Sequence, residues 1–207
     1  MIKGEKMKQI LFATGNPSKA KRFSDGLLKR GIEVITLKDI DIDIEVNEDG
    51  NNAIENALIK ARAYSKATDM PVFAMDDNLY LENVPEEKQP GTHVRRIDGK
   101  RLSDEEMIEH YTSLVKKYGT NGKLDCKWVY GMAVICDGKE YTYTWSKGGF
   151  YLVDKLSDKM HPGYPLDTIS INKELNKYFT DITKEDKEKI HQDESDVIEF
   201  IAKSIDV

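Results

Sequence analysis

The chain has 207 residues and a formal net charge of -6. It is long enough to bury one sizeable core and too acidic to coat nucleic acid through bulk electrostatics. With 39% hydrophobic and 33% charged residues it is not composed like a disordered segment. No apolar run approaches the roughly 20 residues of a membrane span, and the opening Met1-Ile2-Lys3-Gly4-Glu5-Lys6 lacks the apolar stretch of a secretory signal. A cytoplasmic protein without membrane association is expected, as one continuous unit over residues 1–207.

Gln9 to Ala13 is an apolar run suited to a buried strand, followed by Thr14-Gly15-Asn16-Pro17 and a helical pattern through Leu28. A second apolar run, Ile32 to Leu37, completes a β-α-β opening, so the fold class is α/β with a mostly parallel sheet at its start. Residues 39–50 place Asp39, Asp41, Asp43 and Glu45 at period two, an extended segment with one wet face. From Asn52 the period becomes helical, with Ile54, Ala57, Leu58, Ala61 and Tyr64 on one face and Glu55, Asn56 and Lys60 on its flanks.

Pro71 to Met75 predicts a short buried strand ending in Asp76-Asp77, and 78–101 a long loop or small subdomain rich in Pro, Gly and charge. Ser103-Asp104-Glu105-Glu106 has the spacing of a capping box and opens a helix with Met107, Tyr111, Leu114, Val115 and Tyr118 inside. Leu124 to Cys136 and Glu140 to Tyr151 flank Asp137-Gly138, the dipeptide of a tight hairpin. Val197, Ile198, Phe200 and Ile201 mark a packing helix near the end.

Three places could carry chemistry. Thr14-Gly15-Asn16 with Lys19 lies between a strand and a helix, where backbone N–H groups favour an anion, although an ordinary βα turn has the same composition. Asp76-Asp77 could bind Mg²⁺ and orient a water, or merely cap a turn. Lys60 by itself reads as solvated. Cys126 and Cys136, ten positions apart, and the isolated His93, His110, His161 and His191 show no zinc spacing. No nucleophile motif stands out, which leaves metal and water as the available chemistry.

Taken in order, Phe12-Ala13-Thr14-Gly15-Asn16-Pro17-Ser18-Lys19, Gly50 with Ile54-Glu55-Asn56-Ala57 and Lys60-Ala61, Asp76-Asp77, and Pro90-Gly91 with Arg96 resemble the HAM1-type inosine triphosphatase family, pyrophosphatases of non-canonical purine nucleoside triphosphates. The resemblance spans nearly the whole chain. It implies an elongated mixed sheet flanked by helices, two lobes with a central cleft, and a homodimer. It implies Asp77, with Asp76, as the catalytic acids; Thr14, Gly15, Asn16, Lys19, Lys60, Asn78 and Arg96 on the substrate; and Mg²⁺ on Asp77 with Glu48 or Glu45. The partner implied is a small nucleoside triphosphate and not a nucleic acid.

The departures from the family pattern are local. The opening motif's glutamate is Arg22 here, and Asn78-Leu79-Tyr80 stands in place of Ser-Gly-Leu. Pro162-Gly163-Tyr164-Pro165-Leu166-Asp167 resembles the nucleobase segment with its aspartate missing unless Asp167 substitutes, and the terminal signature is present only as His191-Gln192-Asp193, without its arginine. Gly163, Tyr164, Asp167 and His191 are therefore the expected nucleobase contacts, with altered specificity. Rival readings are a nucleotide-binding protein that has lost catalysis and a Maf-like pyrophosphatase for pyrimidine or modified nucleotides.

Overall fold

The computed structural model describes residues 7–206 apart from 16, 41, 43, 162 and 191–193. Strand β1 is Lys8–Phe12, helix α1 Pro17–Leu28 and strand β2 Ile32–Thr36. β1 and β2 pair in parallel, with Phe12 opposite Thr36, as the β-α-β pattern predicts. Helix α2, Ala53–Ser65, precedes strand β3, Val72–Leu81, which lies parallel to β1 on its other side with Phe12 opposite Phe73. The rings of that pair stack at 4.1 Å, and Phe23 of α1 meets both edge-on at 6.0 and 6.2 Å. Such edge-to-face packing fixes the helix over the strand ends better than aliphatic contact would.

Strands β4 (Arg96–Ile97) and β5 (Lys100–Arg101) make a small antiparallel pair, and helix α3 is Asp104–Tyr118. Both halves of the Ser103–Glu106 capping box are formed. Strands β6 (Lys123–Cys136) and β7 (Lys139–Val153) meet at Asp137-Gly138, whose φ values of 49° and 74° are those the hairpin turn demands. Strands β8 (Ser170–Asn172) and β9 (Lys177–Tyr178) and helices α4 (Lys184–Lys189) and α5 (Ser195–Ser204) complete the described elements. The sheet order is β2-β1-β3-β6-β7-β8-β9, parallel at β2-β1-β3 and antiparallel at β7-β8-β9, so this is a mixed α/β fold with helices flanking a seven-stranded sheet.

Two compact units can be distinguished, Met1–Asp76 with Tyr130–Trp145 and Asp193–Val207, and Asp77–Val129 with Ser146–Gln192. In the first, Ile10, Phe12, Phe73 and Met75 pack with Phe23 and Leu27 of α1 and Val197 and Ile201 of α5. The alternate residues Leu11, Ala13, Val72 and Ala74 pack with Ala57, Ala61 and Tyr64 of α2. Ile40, Ile42, Ile44 and Val46 lean on that second cluster, so the period-two segment is amphipathic as expected, although its described residues are not in a strand. In the second unit Leu79, Leu81, Leu124 and Leu152 pack with Met107, Tyr111, Leu114 and Val115 of α3.

The strand expected to stop at Asp76-Asp77 continues to Leu81. The acids are partly exposed and lie between the strand's contributions to two cores, so adjacent polar residues in mid-strand imitate a strand end. Much of 78–101 is ordered by Gln89, which donates to the carbonyls of Leu81 and Val84 at 2.7 and 2.8 Å and accepts the Leu81 N–H at 2.9 Å. Cys126 and Cys136 are free and buried, and burial pushes both thiols up. Among the described residues no helix is long and apolar enough to cross a membrane.

Candidate functional site

The turn after β1 is the first piece. Ala13 N–H donates to the Phe73 carbonyl at 2.9 Å and Thr14 N–H turns back to the Phe12 carbonyl at 2.8 Å. Because β1 and β3 are parallel, Thr14 and the exposed Gly15 leave the sheet at the carboxyl end of β1, on the side toward which β3 runs on to Met75-Asp76; carboxyl ends of strands are where α/β sheets bind ligands. The first turn of α1 carries Lys19. Asn16 lies outside the described residues.

The second piece is α2 and the acidic segment before it. Asn52 caps the helix, its side chain accepting the Glu55 N–H at 3.0 Å. Asn56, expected on a flank, is instead buried at 2% exposure. Its Nδ2 donates to Asp76 Oδ2 at 2.9 Å and its Oδ1 accepts the Gly50 N–H at 2.8 Å. A Cβ on Gly50 would fall 2.7 Å from that same Oδ1, so the close approach needs glycine. Lys60 is not solvated: its side chain is 15% exposed and its Nζ lies 2.6 Å from Glu48 Oε2. Glu45 is exposed.

Strand alternation sends the Asp76 side chain toward α2 and that of Asp77 to the opposite face of β3. The two carboxylates thus have different neighbours despite being adjacent. Arg22, where the opening motif departs, is engaged in another way: its Nε pairs with Glu194 and its guanidinium lies 4.6 Å over the Tyr130 ring and 5.7 Å from Trp145. Its Nη2 is buried with no hydrogen-bond partner among the described residues.

In the second unit, Asn78 is 1% exposed, its Nδ2 donates to the Tyr80 hydroxyl at 3.3 Å, and its Oδ1 is buried without a partner among the described residues. An unsatisfied buried acceptor of this kind marks a place where a donor belongs. Arg96 is exposed at the start of β4. Of the basic residues around it, Arg95 turns inward to Asp104 at 2.6 Å and Lys100 pairs with Glu106. Gly163 N–H donates to Asp104 Oδ2 at 3.1 Å, Tyr164 is 45% exposed, and Asp167 Oδ2 lies 3.0 Å from His161 Nδ1. Arg95, and secondarily the Gly163 amide, hold the Asp104 carboxyl below its ordinary range. His191 lies outside the described residues.

Sequence reading missed Asn56 and the Arg95–Asp104 pair as site elements. Its place in the Ile54-Glu55-Asn56-Ala57 motif is a signal that could have marked Asn56, and nothing local marks the pair.

A sequence model of the Ham1 family matches residues 10–197. The dITP/XTP pyrophosphatase of Bacillus subtilis (strain 168) is 31% identical over 187 residues, covering 89% of this chain and 90% of the relative. The dITP/XTP pyrophosphatase of Leptospira interrogans serogroup Icterohaemorrhagiae serovar Lai (strain 56601) is 28% identical over 184 residues, covering 88% and 90%. The solved Staphylococcus aureus Ham1 protein superposes with a TM-score of 0.73 at 24% identity over 95% of this chain and 98% of its own, a likeness of fold. Matched across nearly its whole length, the chain belongs to the Ham1 family.

Proposed function

We propose that this protein hydrolyses non-canonical nucleoside triphosphates, purines foremost, at the α–β phosphoanhydride, giving nucleoside monophosphate and pyrophosphate. The observation that supports the reading is the parallel β1–β3 register, Phe12 opposite Phe73, so that the Thr14-Gly15 turn follows β1 on the side toward which β3 runs to Asp76. A triphosphate is a polyanion whose charge shifts onto the leaving pyrophosphate during cleavage, so fixed donors and cations at that edge lower the barrier. Thr14, Gly15, Asn16 and Lys19 supply them from the turn and the start of α1, with Lys60 and Arg96 as further cations. Asp77 accepts the proton of the attacking water, with Asp76, held by Asn56, as its acidic neighbour. Asn78 offers its unpaired Oδ1 to the substrate.

The donor chemistry fits Mg²⁺. No group of three metal-competent side chains forms among the described residues, which speaks against a dedicated protein cage. Mg²⁺ instead takes one or two carboxylates and completes its shell with phosphate oxygens and water. By the family resemblance Asp77 and Glu48, or the exposed Glu45 in its place, are the carboxylates proposed to hold it, which requires Glu48 to leave Lys60 and reach the Asp77 face of β3. When bound, the ion neutralises phosphate charge. Lys60, paired with Glu48, would turn its ammonium to the phosphates if Glu48 took the ion.

Gly163, Tyr164, Asp167 and His191 are proposed to meet the nucleobase, with a preference shifted from ITP or XTP by the displaced aspartate. Residues 1–207 are proposed to act as one catalytic domain, in the cytoplasm and as a homodimer, as the family resemblance implies. The test is Mg²⁺-dependent pyrophosphate release across a panel of nucleoside triphosphates by wild type and Asp77→Asn. Removing a general base lowers kcat by roughly 10²–10⁴-fold. Equal background release by both proteins would leave a binding protein, and strict ITP preference would refute the shifted specificity.

A further inference from the structure

In the second unit, Leu79 and Leu81 of β3 and Leu124 and Cys126 of β6 are buried in the core with α3. By strand alternation Tyr80, Glu82, Asp125 and Lys127 point to the opposite face, where they border a cavity of about 480 Å³. That volume lies within the range of small-molecule sites. On β7 the cavity meets Gly148-Gly149, where the backbone is bare of side chains. All of these residues belong to the one unit.

The charges on its walls are of two kinds. Lys173 Nζ lies 2.8 Å from Asp125 Oδ1, so those two neutralise each other. Glu82 and Lys127 are exposed and make no ion pair among the described residues. The Glu82 N–H donates to the Asp125 carbonyl at 2.7 Å, which sets Glu82 beside β6 two residues from Lys127. One unpaired acid and one unpaired base beside an aromatic wall complement a molecule with one charge of each sign and an apolar body. A ligand with a single charge would satisfy one of them and meet like charge at the other.

Tyr80 joins the cavity to the strand that carries Asp77. Its hydroxyl accepts Asn78 Nδ2 at 3.3 Å, and Asn78, next to Asp77, is 1% exposed. Asn78 and Tyr80 both stand where the chain departs from the family's Ser-Gly-Leu, so this wall is not a family feature.

We propose that the cavity binds an amino-acid zwitterion with an apolar side chain, its ammonium on Glu82, its carboxylate on Lys127 and its side chain against Tyr80, and that occupancy steadies Asn78 through the Tyr80 hydroxyl. The site is independent of the pyrophosphatase reading above; its effect on turnover rests on that reading.

The test is an amide NMR titration of the full chain with phenylalanine and with its singly charged analogues phenethylamine and 3-phenylpropionate, repeated on Glu82→Gln, Lys127→Met and Gly148→Leu. A Cβ at Gly148 meets nothing nearer than Lys127 Cβ at 3.9 Å, so leucine there fills the cavity without displacing the strand. Phenylalanine is expected to shift the Tyr80, Lys127 and Gly148 amides of the wild type and to have no effect on Gly148→Leu. Its Kd is expected to rise about fivefold in each charge variant, as for either analogue on the wild type. Saturating phenylalanine is expected to lower the KM for pyrophosphate release about fivefold in the wild type and to leave it unchanged in Tyr80→Phe. Equal binding of the three probes, no amide shifts, or an unchanged wild-type KM would overturn the proposal. So would a dimer, seen by light scattering, that Gly148→Leu dissociates, because a second copy then covers this face. Background release by wild type and Asp77→Asn alike would instead remove the pyrophosphatase reading and the KM arm, while the amide shifts still decide the site.

Discussion

The carboxamide of Asn56 joins two acidic segments, donating to Asp76 Oδ2 at 2.9 Å while accepting the Gly50 N–H at 2.8 Å. It therefore sets the orientation of one of the two adjacent acids on β3 and the path of the loop that brings Glu48 to Lys60. Asn56→Ala removes a donor from Asp76 and strands the Gly50 N–H, and is expected to cost about 2 kcal/mol in urea unfolding. Asn56→Asp sets a second carboxylate against Asp76. Its deficit is expected to be larger at neutral pH and to shrink in acid, where one of the two facing carboxyls takes up a proton. Equal deficits at both pH values would show that the amide serves shape and not charge.

The start of α2 is pressed onto β6. A Cβ at Gly131 would lie 2.4 Å from Ile54 N and 2.5 Å from Ala53 C, and backbone atoms cannot step aside as a side-chain tip can. Gly131→Ala is expected to shift the whole first turn of α2, which carries the Asn52 cap and Asn56, at a cost of about 1–3 kcal/mol. A lower urea midpoint with an unchanged m-value would show this. A loss of pyrophosphatase activity larger than the unfolded fraction explains would place the damage at the Asn56–Asp76 contact.

What could be read in advance was what short stretches of sequence decide. The β-α-β opening follows from apolar runs and a turn, the Asp137-Gly138 hairpin from two residues that tolerate positive φ, and the start of α3 from four residues of capping chemistry. Legibility failed where the partner is remote. Arg22 and Glu194 are separated by 172 positions, so neither reveals its role to a local pattern. The passage of β3 through Asp76-Asp77 was hidden for a related reason, since a strand that changes cores midway carries its polar residues inside and not at its end. The order of motifs indicated the family correctly, while the individual contacts of Asn56 and Lys60 needed coordinates.

Arg22 has exchanged the family's acid for a packed cation. Its side chain and that of Glu194 are 21% and 12% exposed, and the guanidinium rests on Tyr130. Arg22→Glu is expected to lose the pair, the cation–π contact and the neutrality of Glu194 together, for about 2–3 kcal/mol in chemical unfolding. Arg22→Glu combined with Glu194→Arg should recover part of that loss through the reversed pair. No recovery in the double variant would assign the stability to the stack on Tyr130 and not to the charge pair.

Asp186 should give the fold an acid-sensitive step. Its carboxylate accepts Lys177 Nζ on both oxygens at 3.0 and 2.8 Å and the Thr183 N–H at 3.0 Å, and Lys177 first, then Thr183, pushes its pKa down to about 2. A carboxyl with a folded-state pKa below its unfolded value of about 3.9 binds protons more readily when unfolded. Its stabilisation is therefore fully present above about pH 4 and disappears as pH falls toward about 2. Asp186→Asn abolishes the charge at every pH, so the difference in melting temperature between wild type and variant is expected to be constant from neutral pH to about pH 5 and to narrow below about pH 4. The Lys177 side chain is 45% exposed, so added salt should reduce the same difference. A gap that persists undiminished at the acid end would mean that Asp186 acts through the geometry of its cap on α4, and that the ion pair with Lys177 contributes nothing to holding β9 against that helix.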